Sequence, residues 1–371
     1  MSDLYQHRLD TLQETLNQNG FDACLIMQEE NRRYLSGFTG EDNSVDESAG
    51  ALIIGPKGRI LATDSRFELH AIHEATLFEV HVYKEGLHKD LPELLARVGA
   101  SRVAFEETRV SVGRYNLFTK ALREKEAKVE LVAHEDMTAP MRAIKSTDEI
   151  TTMRQALAIA EAAFSAVKAR LKPGLSEKAI AWEMEKEMRS RGAEGLSFPT
   201  IVASGPNAAL PHAVPGKRIV NIGEPILIDW GARYNGYCSD STRTVVLGAP
   251  CDTFKRVFDT LFEAQARAVD AICDGVSGKA VDAVAREFIE KTFPDGFGHG
   301  LGHGVGIEVH EAPRLSPIKD NTLKAGMVVT VEPGIYLPDW GGIRLENMVL
   351  VTENGAEVLN TLDYHDFVIA L

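Results

Sequence analysis

The pair Asn235-Gly236 constrains this chain more than any other feature. It lies between the apolar runs Ile226–Ile228 and Thr244–Leu247, and Asn-Gly in that setting marks a two-residue hairpin turn. Such a turn sets the register: Asp229 faces Thr242, and Asp240, two residues from Thr242, projects on the same face. Two carboxylates become diagonal neighbours, about 7–8 Å apart at their backbones. Like charges on a mostly buried sheet face are unfavourable unless protonated or neutralised. A divalent cation between them removes the difficulty, and so would a surface position for both aspartates beside the turn.

The hairpin belongs to the second of two regions. Before it, Leu4–Leu16 carries apolar residues at helical spacing. Strand-like runs follow at Ala23–Met27, Ala51–Ile54, Ile60–Thr63, Val80–Tyr83, Val103–Phe105 and Val129–Val132, with helical stretches at Phe67–Ala75, Leu91–Val98 and Tyr115–Arg123. That alternation predicts an α/β domain. Asp136–Lys145, interrupted by Pro140, reads as a connection, and Ser146 with Glu149 forms a capping box. A helix should run from there to about Leu171, and a second from Ser176 to Gly192. The boundary falls near residue 140, giving domains 1–140 and 141–371, in keeping with a length of 371 residues. Phe254–Ile272 and Lys279–Lys291 look helical; Val328–Val331 and Ile343–Val351 look like strands.

The second region holds two further clusters. His299, His303 and His310 sit within twelve residues, among glycines. His299 and His303 have zincin spacing, but the glycines disfavour a helix and no glutamate follows His299. The glycines also lack the full dinucleotide fingerprint and suit close backbone approach instead. Glu332 and Glu346 each break an apolar strand; each is either solvent-facing or neutralised by a partner. Four carboxylates and one imidazole (Asp229, Asp240, Glu332, Glu346 and His303) suit a pair of divalent ions, manganese, cobalt, iron or zinc, about 3.5–4 Å apart. Such a pair lowers the pKa of water from about 15.7 to about 7, on the order of 12 kcal/mol.

Net charge is −14, which argues against a nucleic-acid partner. Four cysteines form no C-x-x-C pair, no signal-peptide pattern opens the chain, and no run of about 18 apolar residues appears. The expectation is a cytoplasmic protein without a membrane segment.

The stretch Asp229–Arg243, the Gly302-His303-Gly304 loop, Val331–Tyr336 and Gly342–Glu346 resemble the pita-bread metallopeptidases: aminopeptidase P, prolidase and methionine aminopeptidase. The order Asp, Asp, His, Glu, Glu is similar throughout residues 145–371. Asn31–Gly40 and Thr63–Phe67 resemble the N-terminal domain of the aminopeptidase P branch. The resemblance implies a creatinase-like α/β domain followed by an α+β pita-bread catalytic domain. It also implies two divalent metal ions per chain, manganese foremost, and a homodimer. Asp229 would chelate one metal and His303 with Glu332 the other, with Asp240 and Glu346 bridging. Glu332 would be the general base, and His212 and His310 would stabilise the intermediate or serve the leaving group. Arg344 resembles a family arginine near the active site; His299 and Arg314 are further substrate-binding candidates, although Arg314 could equally be an ordinary surface arginine. Asn347 stands where some relatives carry an acid.

The leading functional expectation is an Xaa-Pro aminopeptidase acting on short peptides. The runner-up is an Xaa-Pro dipeptidase, for which Arg314 would bind the product carboxylate. A non-peptidase enzyme or a binding protein on the same fold comes third. Cys238 shares the strand parity of Asp240, so thiol modification is expected to slow catalysis.

Overall fold

Every residue of strand Ala23–Ile26 is buried, and its apolar side chains make it a central strand. In the computed structural model, which describes residues 2–44 and 47–371, it lies inside a six-stranded sheet. The order is Glu79–Val82, Gly58–Thr63, Ala51–Gly55, Ala23–Ile26, Arg102–Glu106, Glu130–His134. Ala23–Ile26 runs parallel to Arg102–Glu106 and antiparallel to Ala51–Gly55. Helices Leu87–Arg97 and Val112–Glu124 contribute Leu91, Leu94, Phe118 and Leu122 to its core. This unit ends at Arg142, and a second runs from Ala143 to Leu371. Two details differ from expectation. Glu29–Ser36 is a helix that overlaps Asn31–Gly40, a stretch read only as a motif. Ala139–Ala143 is a short helix despite Pro140, which stands in its first turn, where a missing N–H costs nothing.

In the second unit the Ser146 hydroxyl accepts from Glu149 N and the Glu149 carboxylate accepts from Ser146 N, so the capping box starts helix Thr147–Lys168. The Ser176 hydroxyl accepts from Ala179 N and caps helix Glu177–Ser190 without a reciprocal bond. Both pack on a four-stranded sheet ordered Val368–Ile369, Ser241–Leu247, Pro225–Trp230, Ile201–Ser204. Trp230 stacks on Phe164 at 4.4 Å and donates to Ala160 O. A five-stranded sheet follows, ordered Glu311–Leu315, Gly302–Gly304, Val328–Val331, Asn347–Thr352, Gly355–Val358. Helices Asp252–Asp270 and Gly278–Glu290 bury Phe254, Phe258, Val281 and Ile289 with Val329 and Val349.

Asn235 and Gly236 both adopt left-handed φ, 46° and 81°, as a type I′ turn requires. Asp229 pairs with Thr242. The expected strand Ile343–Val351 is instead two. Gly341–Arg344 pairs with Gly334–Leu337 in a small ribbon, and Asn347–Thr352 joins the five-stranded sheet. The chain changes sheet at Leu345 and Glu346, which alternation alone cannot reveal. Among the described residues no helix is long and apolar enough to cross a membrane.

Candidate active site

Three of the four acidic candidates occupy strand breaks. Asp240 stands between Tyr237–Cys238 and Ser241–Leu247, Glu332 between Val328–Val331 and Gly334–Leu337, and Glu346 between Gly341–Arg344 and Asn347–Thr352. Asp229 lies within Pro225–Trp230 and His303 within Gly302–Gly304. A strand break frees a residue from ladder geometry and lets its side chain turn inward. The glycines beside His303 are needed for approach: a Cβ on Gly302 would sit 1.9 Å from Thr330 O, and one on Gly304 2.1 Å from Ala312 O.

Asp240, His303 and Glu346 offer donor atoms all within 4.8 Å of one another. His303 Nε2 lies 3.6 Å from Asp240 Oδ2 and 3.3 Å from Glu332 Oε1. His303 Nδ1–H donates to Gly304 O at 3.0 Å, which turns Nε2 toward the carboxylates. Thr242 donates to Glu346 Oε2 at 2.6 Å and Thr330 to Glu332 Oε1 at 3.1 Å. Arg344 Nη2 donates to Asp229 Oδ2 at 2.5 Å, whereas Asp229 Oδ1 is buried without a partner among the described residues.

The electrostatics reflect this crowding. Burial, then Glu346 and Asp229, pushes Asp240 well above the usual carboxylate range. Burial, then Glu332 and Asp229, does the same to Glu346. Burial also raises Asp229 against the pull of Arg344. Burial would raise Glu332 too, but its hydrogen bond and charge interaction with His303 bring it down to about 2. Several buried carboxylates with few donors, one orphaned oxygen and an imidazole oriented by Gly304 O form a donor set that fits divalent cations.

These residues open onto a cavity of about 630 Å³ that His212, His299, His310, Arg314 and Arg344 also line. The His310 ring stands edge-on to His303 at 4.3 Å. Partial burial, with the charges of His303 and Arg314, lowers His310 to about 4. His299 Nδ1–H donates to Gly300 O, so its Nε2 accepts from the Tyr336 hydroxyl at 2.9 Å. Both its ring nitrogens thus have protein partners. Arg344 donates further to Tyr336 at 2.8 Å, Thr242 at 3.1 Å and Pro211 O at 3.2 Å. Asn347 Oδ1 accepts from Arg243, whose Nη1 also donates to Glu346 O at 2.5 Å. Cys238 is buried in an apolar cluster with Met153, Val305 and Met348, and its thiol faces Ile307 O at 3.6 Å.

Some contributors gave no local sign of their role. Thr242 lies in the Asp229–Arg243 motif and faces Asp229, but nothing near it in sequence reveals its bond to Glu346. Tyr336 lies in the Val331–Tyr336 motif, but its bonds to Arg344 and His299 depend on tertiary placement. The buried pair Lys145–Glu311, 2.6 Å apart, joins residues distant in sequence.

Residues 151–353 match metallopeptidase family M24, and residues 8–144 match the creatinase/prolidase N-terminal domain. The chain is 36% identical over 356 residues to an Xaa-Pro dipeptidase of Pyrococcus furiosus, covering 95% of this chain and 97% of that protein. Its fold is similar to an Xaa-Pro dipeptidase from Bacillus anthracis, with a TM-score of 0.92, 34% identity, and 98% and 100% of the two chains covered. It is also similar to an X-Pro aminopeptidase from Thermotoga maritima, with a TM-score of 0.86, 40% identity, and 96% and 100% covered. The chain belongs to metallopeptidase family M24, in its pita-bread prolidase and aminopeptidase P branch. It is a hydrolase of the kind that works with divalent metal ions.

Proposed function

We propose that this protein is an Xaa-Pro dipeptidase, the runner-up of the sequence reading, in preference to an Xaa-Pro aminopeptidase. The observation that carries the choice is Arg314. Its guanidinium lines the cavity and has no carboxylate partner among the described residues. A dipeptide ending in proline brings a free carboxylate that such a cation binds well. The likeness to named Xaa-Pro dipeptidases supports the same choice. An X-Pro aminopeptidase is among the similar structures, so that activity is the second reading.

Asp229, Asp240, His303, Glu332 and Glu346 would hold two divalent ions, manganese foremost. Bound ions supply Lewis acidity and make water a nucleophile near neutral pH. Glu332, ionised at neutral pH, accepts the proton of the attacking water. His310, neutral at that pH, donates a hydrogen bond where charge develops on the carbonyl oxygen. His212 serves the departing imino nitrogen. Phe198, Pro199 and Ile201 give the cavity an apolar wall suited to a pyrrolidine ring. The free cysteines suit a reducing cytoplasm, and the family resemblance supports a homodimer, to be checked by light scattering.

Steady-state rates of the metal-reconstituted protein on Ala-Pro and Ala-Pro-Ala test the reading. Strong preference for Ala-Pro is expected, and Arg314→Met should raise KM for the dipeptide by about 10-fold or more. Preference for the tripeptide would shift the assignment to an aminopeptidase.

A further inference from the structure

His212 stands in a segment with little regular structure. Between strand Ile201–Ser204 and Gly216 there is only the 3₁₀ turn Gly205–Ala209. One carboxylate ties both ends of this segment. Glu177, the first residue of helix Glu177–Ser190, is fully buried, and no cation pairs with it among the described residues. Its Oε1 accepts from Ser204 N at 2.8 Å, Ser204 Oγ at 3.0 Å and Asn207 Nδ2 at 3.1 Å. Its Oε2 accepts from Gly216 N at 3.1 Å and from Asn207 Nδ2 at 3.2 Å. Backbone bonds complete the anchor: Glu177 N donates to Arg218 O and Lys178 N to Gly216 O, each at 3.0 Å.

The segment is therefore pinned where it leaves the sheet and where it returns. Its middle presses on the catalytic ribbon. A Cβ on Gly342 would lie 2.2 Å from Ala208 O, and Arg344 holds Pro211 O. His212, next in sequence, lines the cavity. An ionised carboxylate is the group this anchor needs, because both its oxygens face only donors. A glutamine there would turn N–H groups against an N–H donor, and an aspartate would fall one methylene short.

We propose that Glu177 is a positioning residue for His212: it sets the place of that imidazole through the segment 204–216 without touching substrate. The inference rests on the proposed role of His212.

The test is a double-mutant cycle on the metal-loaded enzyme, with kcat, KM, metal content and thermal midpoint measured for each variant. Glu177→Gln is expected to lower kcat by about 10- to 100-fold through misplacement of the imidazole, with metal content unchanged. Asn207→Ala, which removes only the Nδ2 contacts and leaves the other donors on Glu177 in place, should cost less, about 3- to 10-fold. In a His212→Ala background, either change should cost less than about twofold more. Full additivity with His212→Ala, or wild-type kcat in Glu177→Gln, would overturn the inference. Should Glu177→Gln not fold, Asn207→Ala with and without His212→Ala decides by the same criterion. Wild-type kcat in His212→Ala would remove the proposed role of His212 and this inference with it. A slow His212→Ala enzyme with additive losses would remove the inference alone.

Discussion

Glu106 in the first unit and the carboxylates of the second are all buried, yet the chain treats them differently. Glu106 accepts from Met27 N at 2.6 Å, Gln28 N at 2.8 Å and Asn31 Nδ2 at 2.6 Å. Its charge is met by fixed dipoles that belong to the fold. Among the described residues no hydrogen bond reaches the Asp240 carboxylate, which has His303 at 3.6 Å, and Asp229 keeps one oxygen unpartnered. Glu177 falls on the Glu106 side of this divide. Where a buried acid serves architecture, backbone and amide donors surround it; where donors run short, the acids form a set that a cation brought from outside would neutralise.

The strongest way to break that contrast is to delete a carboxylate from the crowded set. Asp240→Ala or Glu346→Ala should lose both metal and turnover, by at least about 10³-fold, with the far-ultraviolet spectrum retained. Metal analysis after dialysis, alongside the rate, checks this, and full activity in either would refute the site. His310→Ala should retain metal while turnover falls by about 10²–10³-fold.

Stability sharpens the comparison further. Glu106→Gln should cost about 1–3 kcal/mol, because its amide group meets N–H donors with a donor of its own. Asp240→Asn in chelated protein should be neutral or stabilising, since it removes one like charge. Urea unfolding of both variants decides, and equal losses would erase the distinction. The pH dependence follows. Burial and neighbouring acids hold Asp240 and Glu346 well above their ordinary 3.8 and 4.5. A raised carboxylate contributes stability that is complete below its unfolded value and is lost as pH rises through its folded value. In chelated protein, Asp240→Asn should therefore gain in stability relative to wild type as pH climbs above about 4.5. A difference between the two that shrank across this interval would contradict the site electrostatics.

The smallest effect belongs to Cys238. Its thiol is buried among apolar side chains, so Cys238→Ala should change the rate by less than about twofold, and reagents should find the exposed Cys251 first. Mass mapping of the labelled protein checks both statements. This tempers the expectation drawn from strand parity, which places a side chain on a face but does not say what covers it.

Local physics was the legible part. The Asn235-Gly236 turn and the Ser146 cap depend on residues a few positions apart, and both stand as expected. So does the pairing of Asp229 with Thr242, because a tight turn carries its register outward. Non-local choices were not legible. Gly302–Gly304 has no strand propensity of its own and becomes a strand because its neighbours supply edges. The split at Leu345 and Glu346 depends on which sheet lies nearest, and periodicity is blind to that. Glu177 reads as an ordinary first-turn acid, since its bonding partners Ser204, Asn207 and Gly216 lie far along the chain.

The changes of sheet at the acidic residues have one more consequence. Asp229 and Asp240 come from the four-stranded sheet and its hairpin, while His303, Glu332 and Glu346 come from the five-stranded sheet and its edges. An ion gripped by both sets would act as a further rivet in a seam already stitched by the bonds of Thr242 and Arg243 to Glu346 and of Arg344 to Asp229. Metal starvation would then do more than silence the enzyme: it would loosen the seam and expose the polypeptide to the very class of reaction it performs on others.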